Sequence, residues 1–132
     1  MSNNNLITKR DRVIQILEQL KKLGDIEWQK KAWIKGEIFS AGFDEEITVL
    51  YDSYNFEDTF LKQLNDFSFS KDLTDSLLQL NDELNDYFEL IVDYSDEEVI
   101  NDPRWVALSS KILNTHLLLS KEVTKVPEAP LY

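Results

Sequence analysis

The chain has 132 residues, with 14 Lys and Arg against 25 Asp and Glu, for a formal net charge of -11. A field of that sign repels nucleic acid and anionic lipid and attracts basic surfaces. With no Cys, the chain has no disulfide framework, no thiolate nucleophile and no cysteine zinc site.

Apolar residues recur at steps of three and four, which is a helical pattern. The spacing predicts a first helix after Thr8, with Val13, Ile16, Leu17, Leu20 and Leu23 inward and Gly24 as its stop. Asp25 is placed to cap a second helix carrying Trp28, Trp33 and Ile34, with a bend or end at Gly36. After Ala41-Gly42, Asp44 is expected to cap a third helix with Ile47, Leu50, Tyr51 and Tyr54. Asn55 is expected to cap a fourth, turning Phe60, Leu61, Leu64 and Phe67 inward.

Ser70 opens the most regular segment. Leu73, Leu77, Leu80, Leu84, Tyr87 and Ile91 step 4-3-4-3-4, a heptad-like seam suited to packing within a bundle. Ser95-Asp-Glu-Glu98 reads as a capping box, flanked by Tyr94 and Val99 at the staple positions. Asp102-Pro103 starts a last helix through Trp105, Leu108, Ile112, His116 and Leu119. The predicted fold is all-α: a single-domain bundle of about five to six helices over 1–121, with a long central helix near 71–93. The tail, 122–132, carries Pro127 and Pro130 and is expected to be loosely ordered. No apolar stretch approaches the ~20 residues of a spanning helix. The opening Met-Ser-Asn-Asn-Asn lacks a secretory pattern, so a cytoplasmic location is expected.

Charge is distributed unevenly. Residues 1–36 carry a net +4, residues 37–102 a net -17 and residues 103–132 a net +2. The middle block holds 19 acids and two cations, Lys62 and Lys71. Within the long helix, Asp75, Gln79, Asp82, Asp86, Glu89 and Asp93 also step 4-3-4-3-4. This stripe of like charge is expected to be self-repelling, which suits a docking surface for a basic partner as well as a solvated face or a divalent-cation site. The segment Tyr51–Asp58 mixes aromatics with acids, and Tyr51, Asp52, Tyr54 and Asp58 join the candidate contact residues. Asp44-Glu45-Glu46 and Ser95–Glu98 read as helix starts, where acids favour the dipole. His116 is the only imidazole and falls in line with Ile112 and Leu119, so a packed role is expected. The basic N-terminal third reads as internal charge balance. No catalytic residue, metal ligand set, cofactor or glycine-rich phosphate loop is predicted.

The small size, acidity, lack of Cys, helical pattern and Tyr/Asp-rich Tyr51–Asp58 stretch resemble the immunity proteins of bacterial toxin systems, such as contact-dependent growth inhibition. That resemblance implies a protein that binds and blocks a cognate toxin domain without saying which; a nuclease is expected on charge, because its active site is cationic to hold phosphates. Two other classes fit parts of the pattern. Glu83, Asp86, Glu89 and Asp93 echo a MazG-like, Mg-dependent nucleotide pyrophosphatase, but no second Glu-x-x-Glu helix completes the set. An adaptor that mimics nucleic acid would also use spaced carboxylates. Oligomeric state is left open, because the Leu73–Ile91 seam suits either a core or a dimer contact.

Overall fold

Thr8 opens the first helix of the computed structural model, which describes residues 7–131. Its hydroxyl accepts the Asp11 amide at 3.0 Å, and the Asp11 carboxylate accepts the Thr8 amide at 3.1 Å. Two otherwise unpaired donors are satisfied reciprocally. Helix α1 (Lys9–Leu23) buries Val13, Ile16, Leu20 and Leu23 and stops at Gly24. A Cβ at Gly24 would lie 2.8 Å from the Leu113 amide nitrogen, so the glycine lets the last long helix approach closely.

Asp25 caps α2 (Ile26–Gln29), which continues as a π turn, Lys30–Ile34. Gln29 is fully buried and fully satisfied. Its amide donates to the Lys22 and Leu23 carbonyls, and its oxygen accepts Trp105 Nε1 at 2.8 Å. One side chain thereby ties the last carbonyls of α1 to the core tryptophan.

Helix α3 (Phe43–Thr48) runs on as a second π turn, Val49–Ser53. Its expected cap, Asp44, does not cap it. Gly42 holds the cap position, and the Phe43 amide donates to Asp96 Oδ1, 53 residues away, at 3.0 Å. Gly42 has φ +117° and ψ -174°, a region essentially restricted to glycine. A Cβ there would meet Asp96 Oδ2 at 2.6 Å. Gly42→Ala is therefore expected to lose roughly 2–4 kcal/mol from backbone strain and a displaced cap together. Gly36→Ala, at φ +67° in open space, is expected to lose only about 1–2 kcal/mol. Urea unfolding of the two variants side by side checks the difference.

The fourth predicted helix is replaced by a π turn, Phe56–Phe60, and a 3₁₀ helix, Leu61–Asp66. The Asn55 side chain makes no cap bond. Its backbone is left-handed (φ 51°), and its carbonyl accepts both the Thr59 and Phe60 amides. Asn tolerates this conformation better than most residues. Phe60, Leu64 and Phe67 still point inward.

Helix α4 (Lys71–Leu90), the short α5 (Asp96–Ile100) and α6 (Pro103–Glu122) complete the bundle, followed by a 3₁₀ turn, Val123–Lys125. Both bonds of the Ser95–Glu98 capping box form, and Asp102 caps α6 ahead of Pro103. Helix α6 packs against α1 on one side and α4 on the other. The middle position therefore belongs to α6 and not, as expected, to the helix near 71–93: α4 flanks α6 with one side open, because its acidic face cannot be buried. The inner faces meet in one core that includes an aromatic run, Trp33–Phe43–Trp105–Tyr87, each pair within 6 Å.

The tail departs from its expected looseness. Arg10 donates to the Val126 carbonyl at 2.8 Å and to the Thr124 carbonyl at 2.9 Å. The Lys9 amide donates to the Ala129 carbonyl, Thr8 pairs with Pro130, and Val126 and Leu131 are buried. The guanidinium fork and a few apolar anchors hold a segment whose own composition favours no regular structure.

Candidate functional site

Helix α4 is positioned at its start by Ser70. The hydroxyl accepts the Leu73 amide, while the Ser70 amide and hydroxyl donate to the Glu122 carboxylate at 2.7 and 2.6 Å. Burial pushes the Glu122 carboxyl up, but the bonds from Ser70 and Lys125 outweigh it and hold it below the usual range. The seam residues Leu73, Leu77, Leu80, Leu84, Tyr87 and Ile91 are all buried, as the periodicity predicts. Burying each aliphatic side chain contributes roughly 1.5–3 kcal/mol.

At 3.6 residues per turn, the acidic stripe falls on the side of α4 away from this seam. Asp75, Gln79, Asp82, Asp86 and Glu89 are all exposed. The stripe is not wholly without cations. Lys71 Nζ sits 2.6 Å from Asp75 Oδ2, one turn along, and that hydrogen bond raises the Lys71 ammonium above its ordinary value. Asp82, Asp86 and Glu89 have no ion-pair partner among the described residues. The neighbouring cations are engaged elsewhere: Lys111 with Glu83, and Arg104 with Asp102. Asp93 is not on the stripe. The helix ends at Leu90, and Asp93 stands in the following turn with a left-handed backbone, φ 67°.

The Tyr51–Asp58 segment lies along one flank of α4. Tyr51 packs edge-on against Phe56 and Phe88, and its hydroxyl donates to Asn81 Oδ1 at 2.8 Å. Burial, then the nearby Glu57 charge, pushes the phenol well above its ordinary value. Tyr54 lies beneath the Arg12 guanidinium, 5.7 Å from the ring centre. Both tyrosines are half-buried and brace the fold, while Asp52 and Asp58 are exposed. Sequence reasoning missed Glu57. Its carboxylate accepts Asn81 Nδ2 at 2.9 Å and Asn85 Nδ2 at 3.4 Å, which fixes a further exposed acid beside the stripe. The only signal for it was a polar Asn81 standing next to the seam.

On the other flank, Tyr87 donates to Asp102 Oδ2 at 2.9 Å and stacks on Trp105. Hydrogen bonds from Arg104 hold the Asp102 carboxyl below the usual range, against the opposing effect of burial. A carboxylate depressed in the folded state contributes stability above its unfolded value of about 3.9, and that contribution is lost as pH falls through the folded value. The stability gap between wild type and Asp102→Asn is therefore expected to be widest near pH 6 and to close towards pH 3. Denaturant melts across that range check it.

His116 is half-buried, and its Nδ1 donates to the Leu17 carbonyl at 2.9 Å, a packed role. Among the described residues no group of three or more His, Asp or Glu converges in metal-ligand geometry. No helix there is long and apolar enough to cross a membrane. The arrangement is that of an all-α bundle with an acidic outer face on α4. Compared with protein-family models, curated proteins and solved structures, the chain matches none.

Proposed function

We propose that this chain is an inhibitor of the immunity-protein kind, which binds and neutralises a basic protein partner, a nuclease-type toxin domain. The observation that carries the reading is the outward face of α4, where Asp82, Asp86 and Glu89 stand exposed, without cation partners among the described residues, on a helix packed by its buried seam. Self-repulsion on such a face costs folding stability, and a basic partner removes that cost on binding. Glu57, held by two asparagines, and the exposed Asp52 and Asp58 extend the same charge along the flank.

A nuclease holds phosphates with Lys and Arg, so its cleft is a cationic surface. An acidic helix carried on a preformed bundle suits such a cleft. Long-range attraction speeds encounter, and carboxylates form charge-assisted bonds on contact. The bundle supplies rigidity, so little ordering entropy opposes association.

The test is co-purification with the product of the adjacent upstream gene, followed by association kinetics in increasing salt. An on-rate that falls at least tenfold between 20 and 150 mM salt is expected, as the screening length drops to about 8 Å. Absence of a complex, or a salt-independent on-rate, defeats the reading.

A further inference from the structure

The stripe's last predicted member, Asp93, is displaced from the helix face into a different setting. It lines a groove between the start of α3 and the end of α4, with a cavity volume of about 320 Å³. The groove is walled by Phe43, Ile47, Phe88, Ile91 and Val92, with Asp44, Asp93 and Thr48 completing its lining. The lining includes two carboxylates and no cation. Neither Asp44 nor Asp93 has a salt-bridge partner among the described residues, and both are exposed. Val92, 72% exposed, leaves an apolar side chain open to water beside them.

These features together specify a ligand more closely than either acids or apolar walls alone. An apolar trough with acids and no cation fits a group with a hydrocarbon stem and a positive head. Phe88, half-buried at the groove, packs edge-on with the buried Phe43, 6.3 Å away, and is the ring that borders the trough with surface for a cation. A guanidinium is planar, weakly hydrated and stacks on aromatic faces, whereas an ammonium is strongly hydrated. The volume sits at the low end for ligand sites, enough for one long side chain.

We propose that this groove receives a single arginine side chain of the basic partner, and so anchors the complex at one end of α4. The proposal rests on the reading that the acidic face binds a basic protein, and it assigns the two regions different tasks. The α4 stripe steers the approach, and the groove sets the lifetime of the complex.

Two measurements on the full chain test it. The first is an amide NMR titration with Nα-acetyl-arginine N-methylamide, with cadaverine as comparison. Saturable shifts confined to residues 43–48 and 88–93 are expected, at least fivefold weaker in the Asp44→Asn/Asp93→Asn variant. Asn keeps the left-handed turn at position 93, so the backbone is undisturbed. Shifts absent from the groove, shifts unchanged in the variant, or cadaverine binding as tightly all overturn the proposal.

The second measurement uses the upstream-gene product. The double Asn variant is expected to dissociate at least tenfold faster with an on-rate within twofold of wild type. The Asp82/Asp86/Glu89→Lys variant is expected to lose on-rate. If stripe reversal weakens the complex while the groove variant dissociates normally, the groove proposal fails and the inhibitor reading stands. If neither variant alters binding, both fail.

Discussion

Replacing Trp105 with alanine is expected to lower the unfolding midpoint by roughly 10–20 °C. Its side chain is fully buried, between Tyr87 on one face and Phe43 at its edge, with ring centres 5.6 and 5.0 Å away. Truncating a large core aromatic costs about 3–5 kcal/mol in lost transfer energy and residual cavity. The loss is compounded because Gln29 Oε1 is left buried without its donor. For a domain of this size each kcal/mol is worth about 3–5 °C. Trp105→Phe separates the two contributions. It keeps most of the ring and removes the indole N–H, so it is expected to cost about 1–3 kcal/mol. Calorimetry on both variants gives the comparison, and a Trp105→Ala midpoint within 3 °C of wild type would mean this junction is not the centre of the core.

That junction shows what could be read from the residues and what could not. Trp105 falls on the inward period of α6, and the seam of α4 follows the same rule, so both are legible as core. Periodicity reports which side of a helix is buried and nothing about what lies opposite. The partner of the Trp105 indole is Gln29, 76 residues away, and no spacing rule connects them. The cap of α3 failed for the same reason. Asp44 has the right residue type at a plausible offset, yet the chain enters α3 through a glycine that brings Asp96 within reach. Local rules rank local candidates, and a cap supplied from another helix is invisible to them. The π turns at Val49–Ser53 and Phe56–Phe60 are hidden too, because an α pattern and a π pattern differ by one residue per turn.

The candidate face divides along the same line. Asp82, Asp86 and Glu89 were legible because α4 is long and regular, so helical spacing alone places them together. Asp93 was misplaced because the same spacing was carried three residues past the end of the helix. Tyr51 and Tyr54 looked like contact residues from their type. Their neighbours within the fold, Asn81 and Arg12, come from distant segments that no local spacing could show.

Glu89→Lys is expected to stabilise the free protein while weakening its complex, and the opposition of the two effects is the sharpest test of why the stripe exists. Glu89 lies in the last turn of α4, which contains no basic residue. A negative charge there opposes the helix dipole and repels Asp86 at i-3. Lysine reverses both terms and gains a few tenths of a kcal/mol from each, about 1 kcal/mol together and a few degrees in midpoint. If the stripe were only a solvated surface, a change that improves folding would have no counterweight. If the stripe steers a basic partner, the same change lowers the on-rate, and reversing Asp82 and Asp86 as well is expected to reduce affinity at least 100-fold. Thermal melts of the free protein and association kinetics with the upstream-gene product, run on the same preparations, decide between them. A stabilised variant that binds as well as wild type would leave the exposed carboxylates without a functional reason.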